Sequence, residues 1–220
     1  MIDLHNHILP GCDDGSKSFD MSIEMLQEAQ RQGITCVVNT VHFQHPKLYE
    51  KNTDFDYICS VRDELQQKII ENDIDISIHL GAEVFFNFNL LDILNNKLTT
   101  FCNMKYMLIE FQTFQFPVGF EKHLYELAIS GITPIIAHPE RYKSVQNNFH
   151  IIEKLINSGC LMQLDAGSII GHFGENCRLT AKKMILSNMF HIMGSDAHNN
   201  RKRNFCLSEA LENVYKLIGN

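Results

Sequence analysis

The 220-residue sequence predicts an α/β fold, a single-domain distorted (β/α)7 barrel of parallel strands spanning residues 1–220. Two observations predict it. Seven short apolar segments alternate with helical patterns across short connections, the pattern of parallel strands joined by right-handed crossovers. His, Asp and Glu recur where those segments end, and in a parallel barrel the site lies where the C-terminal strand ends converge. The chain has no G-x-G-x-x-G and no division into two halves, so an open doubly wound sheet fits less well.

The elements follow in order. Met1-Ile2-Asp3-Leu4 reads as a strand, with His5 and His7 at its end. Two apart on extended backbone, they point to the same side. From Ser18 to Gln32, Met21, Met25, Leu26 and Ala29 form one helical stripe, Ser18 can cap the start and Gly33 ends it. Ile34 to Val41 is β-branched and continuously apolar, as a buried parallel strand should be, with His42 just past its end. Phe43 to Thr53 reads as a loop and Asp54 to Glu71 as a helix.

Asp75 to Val84 is the third strand, with Glu83 near its end. A short helix is expected near Leu90–Asn95. Tyr106 to Phe111 is the fourth strand and carries Glu110. A helix over Gly119–Ser130 leads to the fifth strand, which starts at Thr133 and runs into His138-Pro139-Glu140-Arg141. Phe149 to Asn157 is helical, Cys160 to Ser168 is the sixth strand, and Thr180 to Ser187 lies in a helix. His191 to His198 is the seventh strand and Asn204 to Leu217 the last helix.

Composition narrows the function. The apolar fraction of 45% and charged fraction of 20% are ordinary for a globular protein. The net charge of -7 and the lack of a basic stripe argue against nucleic acid as a partner. No apolar run is long enough to insert in a membrane, and no leader pattern opens the chain, so a cytoplasmic location is expected. The seven cysteines are scattered, with no C-x-x-C, and read as reduced thiols. None is followed six positions later by arginine, which excludes the thiolate loop of cysteine-dependent phosphatases.

The candidate ligands are His5, His7, Asp14, His42, Glu83, Glu110, His138, Asp196 and His198. Taken alone, His-x-His is as readily a pair of surface histidines. The set is what points to metal. Mixed imidazole and carboxylate donors without sulfur suit Mn, Fe or Zn. The set exceeds what one ion can use, so two or three ions sharing carboxylates are expected. Three divalent ions would outweigh four carboxylates and leave a positive site that attracts an anion. Arg141 and Arg203 add charge at the mouth and can grip phosphate. Clustered divalent ions activate water and clamp attacking and leaving oxygens, so the parts describe metal-assisted hydrolysis of a phosphate ester.

His5-x-His7, Asp14-Gly15, Gly81-Ala82-Glu83, Ile109-Glu110-Phe111, His138-Pro139-Glu140-Arg141 and Ser195-Asp196-Ala197-His198 resemble the polymerase-and-histidinol-phosphatase (PHP) superfamily. Within it, the opening from Met1 to Gly15 resembles the bacterial manganese-dependent protein-tyrosine phosphatases of capsule and exopolysaccharide loci. The resemblance covers essentially the whole chain and implies a PHP-type barrel. It also implies an activity on phosphotyrosine protein, with a bacterial tyrosine autokinase as the expected partner. It places His5, His7, Glu83 and Asp196 on a first manganese ion. Glu83 would bridge to a second ion held with Glu110 and His138, while Asp14, His42 and His198 would hold a third. Arg141 and Arg203 match the arginines that bind the phosphate. One departure is Thr40-Val41-His42-Phe43, where the family usually has proline before the histidine. The alternatives are a small-molecule phosphatase such as histidinol phosphatase, whose chains tend to be longer, and a non-catalytic metal-binding regulatory domain.

Other polar residues carry weaker claims. His45 reads first as a solvated loop residue and second as a pocket residue. Glu140 is expected to brace its loop. Asp165 and Ser168 are expected either to support the ligands or to cap a helix. Phe111, Phe114 and Phe116 read first as core and second as a wall for an aromatic ring.

Overall fold

Seven parallel strands pair in chain order: β1 (Ile2–Asn6), β2 (Cys36–Phe43), β3 (Ser77–Phe85), β4 (Tyr106–Glu110), β5 (Thr133–Ala137), β6 (Leu161–Asp165) and β7 (Ile192–Gly194). The computed structural model describes residues 1–48 and 53–219. Helices α1 (Phe19–Arg31), α2 (Phe55–Glu71), α3 (Phe120–Ile129), α4 (Lys143–Asn147), α5 (His150–Asn157), α6 (Ala166–Ile169), α7 (Glu175–Leu186) and α8 (Leu207–Ile218) fill the connections. None of the described helices is long and apolar enough to cross a membrane.

The sheet closes on itself at one corner. A parallel bridge joins Asn6 to Ala197, His7 N–H donates to Ala197 O at 2.8 Å, and Asp196 N–H donates to His5 O at 2.8 Å. Buried Asp3 reinforces this seam, accepting from Ser195 N–H at 2.9 Å and Ser195 Oγ at 2.6 Å. The seam therefore fixes the spacing of His5, His7 and Asp196, which come from opposite ends of the chain.

Strand alternation separates two environments. Ile109, Ile136, Met162 and Leu164 pack in the main core. Leu108, Ile135 and Ala137 join Phe101 in a smaller cluster. Gly81 leaves room for this cluster, since a side chain there would meet Phe101 and Val38. On the same strand faces, one or more pleats onward, stand Glu83, Glu110, Gln163 and His5. The barrel is thus plugged by apolar residues at one end and polar at the other.

Several expected boundaries shift. His42 lies inside β2 rather than past it. Strand seven ends at Gly194, not His198, and Ala166–Ser168 are helical rather than the end of strand six. The short helix expected near Leu90–Asn95 is a run of turns. Asparagine explains this, because Asn96 Oδ1 accepts from Leu98 N–H and Asn87 Oδ1 from Phe88 N–H, bonds that compete with a helical ladder. Of the loop expected over 43–53, Phe43 belongs to β2 and residues 49–52 lie outside the described residues.

Candidate metal centre

The structure brings all nine predicted ligands to the polar end of the barrel. In a first group, His5 Nε2, His7 Nε2, Glu83 Oε2 and Asp196 Oδ1 converge. Five of the six edges of this tetrahedron measure 3.2, 3.3, 3.4, 3.4 and 3.4 Å. A regular tetrahedron of that edge has its centre about 2 Å from each corner, a metal–nitrogen or metal–oxygen bond length. A second group contains His7, Asp14, His42 and His198, with Asp14 Oδ1 at 3.2 Å from His42 Nε2 and 3.4 Å from His198 Nε2. A third contains His42, Glu83 and Glu110. His138, which the resemblance grouped with Glu83 and Glu110, lies outside these groups. Its Nε2 contacts Glu83 Oε1 at 2.8 Å and lies 3.9 Å from Glu110 Oε1. Glu83 thus turns one oxygen to His5, His7 and His42 and the other to His138.

The donor set fits a cation. Asp196 Oδ1, Glu110 Oε2, His42 Nδ1 and His138 Nδ1 are buried without a hydrogen-bond partner among the described residues. Buried polar atoms are seldom left so. Three of the histidines are oriented by their far nitrogen: His5 Nδ1 against Gln163 Oε1 at 2.9 Å, His7 Nδ1 against Asp13 Oδ2 at 2.8 Å, and His198 Nδ1 against Asp196 O at 2.8 Å. With Nδ1–H donating in each case, Nε2 presents its lone pair to the cluster, the arrangement that supports a ligating imidazole. His138 and Asp196 adopt left-handed backbone, φ 33° and 48°, and strain of this kind concentrates at functional sites.

Charge is packed tightly here. Burial and then Glu83 push Glu110 up to about 8. Burial, aided by Arg141, lowers His138 to about 4. Burial would also lower His5, but Glu83 and Asp196 outweigh it and raise it to about 9. Asp14 resists its own burial and is held far below the usual carboxylate range by His198 and His42.

Both arginines meet the cluster through Asp196. Arg141 Nη1 donates to Asp196 Oδ2 at 2.5 Å and to Asp165 Oδ2 at 3.1 Å, and Arg203 Nη2 donates to Asp196 Oδ2 at 2.6 Å. Asp165 caps α6, its other oxygen accepting Gly167 N–H, and it supports Arg141 rather than a metal ligand directly. Glu140 is buried and accepts Asp165 N–H at 3.2 Å. His45 is half-buried in the loop after β2, its ring 4.9 Å from that of His42 and its Nε2 3.9 Å from Glu110 Oε2, so it stands at the edge of the site. Phe111 and Phe116 are core, stacked among Phe86, Phe120 and Tyr142, while Phe114 is exposed. Sequence reasoning missed Asp13 and Gln163. Their signals were present: Asp13 adjoins Asp14, and Gln163 interrupts an apolar strand.

The model of the family described as capsular polysaccharide synthesis, CpsB/CapC, matches residues 1–220. The chain belongs to the CpsB/CapC family. Tyrosine-protein phosphatase YwqE of Bacillus subtilis (strain 168) is 34% identical over 220 residues, covering 100% of this chain and 85% of YwqE. A chain from the crystal structures of YwqE and of CpsB from Streptococcus pneumoniae, described as metal-dependent tyrosine phosphatases, superposes with a TM-score of 0.92. It is 33% identical, and the match covers 100% of this CpsB/CapC member and 88% of that chain. Histidinol phosphate phosphatase of Lactococcus lactis matches at TM-score 0.62, with coverage of 99% and 93%. At 13% identity it shares the fold alone.

Proposed function

We propose that this chain is a metal-dependent protein-tyrosine phosphatase, a phosphoric monoester hydrolase. Its substrate is phosphotyrosine on a protein, and we take that protein to be a bacterial tyrosine autokinase governing capsular or extracellular polysaccharide synthesis. The observation that carries this reading is the tetrahedral convergence of His5, His7, Glu83 and Asp196 with two arginines one carboxylate away. Similarity to YwqE and CpsB supports the substrate class.

We assign one ion to His5, His7, Glu83 and Asp196, a second to Glu83 and Glu110 with His42 or His138, and a third to Asp14, His42 and His198. Manganese is the ion we favour, with iron or zinc as the other first-row choices for this donor set. Bound there, the ions would supply Lewis-acid polarisation and a water acidic enough to attack at neutral pH. The chain's own groups do the rest. Arg141 and Arg203 bind the phosphate oxygens and hold them beside the cluster. Asp165 fixes the Arg141 side chain by a direct hydrogen bond. The seven cysteines are free thiols and take no part in the chemistry, which suits a reducing compartment such as the cytoplasm.

The test is a side-by-side assay of a phosphotyrosine peptide, a phosphoserine peptide and histidinol phosphate, after chelation and add-back of manganese, zinc or magnesium. Preferential, metal-restored turnover of the phosphotyrosine peptide is expected. Preferential turnover of histidinol phosphate would move the chain to small-molecule substrates, and metal binding without any turnover would make it a regulatory domain.

A further inference from the structure

A cavity of about 230 Å³ borders the cluster. Glu110 and His138 of the cluster line it together with Arg141, Phe173, Cys177 and Thr113. A phosphate held by Arg141 beside Glu110 and His138 would therefore have its ester group in the same cavity as Phe173. A larger cavity, about 510 Å³, lies against Phe116, Phe120 and Leu155 and includes none of the nine cluster residues.

Phe173 is presented to this cavity by a shaped turn. Gly171 and Gly174 flank it with φ 92° and 87°, backbone that most residues avoid, and Gly174 N–H closes the turn on Gly171 O at 3.2 Å. The ring is half-buried, 4.3 Å from the Arg141 guanidinium carbon and 5.5 Å from that of Arg203. It therefore stands beside both phosphate-binding arginines. An aromatic ester of phosphate placed on the arginines would bring its own ring alongside Phe173, where an offset or edge contact is favourable. A serine side chain is too short and has no ring to make that contact.

We propose that this cavity is the subsite for the aromatic ring of the substrate and that Phe173 is the residue that makes the site selective for aryl phosphates. The proposal rests on the tyrosine-phosphatase reading above and names the part of the site that recognises tyrosine.

The experiment compares two non-hydrolysable competitors, phenylphosphonate and methylphosphonate, as inhibitors of phosphotyrosine-peptide turnover by the manganese-loaded protein. The wild type should prefer the phenyl compound. In Phe173→Leu, which keeps an apolar side chain, that preference should shrink by about threefold to tenfold, the size of an aromatic contact. Thr113→Trp, at an exposed loop position, should obstruct the cavity and raise KM for the peptide by roughly tenfold, the scale of one lost side-chain contact. Metal content by elemental analysis should match the wild type in both variants, as a check that the fold holds. If Phe173→Leu weakens both competitors equally, Phe173 only packs on the arginines and the subsite is overturned. An unchanged KM in Thr113→Trp overturns it as well. A wild type that turns over no phosphotyrosine peptide removes the tyrosine-phosphatase reading and the subsite with it, an outcome distinct from turnover with an unaltered preference.

Discussion

Asp196 divides its carboxylate between two tasks. Oδ1 faces His5 and His7 at 3.4 Å each, and Oδ2 receives Arg141 and Arg203. Because Arg141 Nη1 is taken by Asp196 and Asp165, the phosphate contact proposed for Arg141 would fall to its second terminal nitrogen. Arg141→Ala should lower kcat/KM on a phosphotyrosine peptide by roughly 10²–10³, the loss of one strong donor to developing charge. It should also lower stability by about 1–3 kcal/mol, since buried Asp165 loses a charged partner. Lysine has one nitrogen for three contacts, so Arg141→Lys should restore stability more than turnover. Denaturant melts and kinetics of the same preparations check this, and near-normal turnover in Arg141→Ala would remove it from the site. Asp13 acts one step back, accepting from His7 Nδ1 and from His42 N–H at 3.1 Å. Asp13→Asn should weaken metal affinity by about 10–100-fold in a chelator competition, with the fold kept. Unaltered affinity would show that His7 needs no orienting partner.

At the scale of elements, the shortest strand carries the tightest geometry. β7 spans three residues, and its last, Gly194, lies against His5. A Cβ at Gly194 would stand 2.8 Å from His5 Cβ and 2.8 Å from Gln163 Nε2, so the His5–Gln163 pair must shift. Gly194→Ala should therefore reduce metal stoichiometry and turnover together, while far-UV circular dichroism stays as in the wild type. A fully loaded Gly194→Ala protein would show that the seam can relax. This pressure was invisible in the sequence, where Met193-Gly194-Ser195-Asp196 reads as a continuing strand. What was legible were features set by local pattern. The β-branched run before His42 gave β2, and Ser18, whose Oγ accepts Met21 N–H, marked the start of α1. The absence of a helix near Leu90 was not legible, because apolar spacing suggested one and the asparagine side-chain bonds that prevent it appear only in three dimensions. Nor was the turn that aims Phe173, since its effect depends on where Arg141 and Arg203 come to lie.

For the whole molecule, the barrel concentrates buried charge at one end, while the seven free thiols are scattered through the fold. Burial lifts Cys12 and Cys160 to about 12, and lifts Cys206 further. At pH 8 only about one part in ten thousand of the first two is thiolate, the form that reacts. Cys102 is exposed, in a loop between β3 and β4 that contributes no residue to the cluster. Brief treatment with iodoacetamide at pH 8 should therefore label Cys102, spare Cys12, Cys160, Cys206 and the buried Cys177 of the proposed subsite by peptide mass mapping, and leave phosphotyrosine turnover intact. Chelation should do the reverse, abolishing turnover with every thiol unmodified. It should also lower the melting temperature, because an ion that binds the folded state at a hundred times its Kd stabilises it by about 2.7 kcal/mol. The two treatments separate the chemistries in one sample. Loss of turnover with only Cys102 modified and the metal content unchanged would point to a thiol mechanism and refute the metal one. A melting temperature indifferent to chelator would show that the nine clustered side chains hold no structural ion.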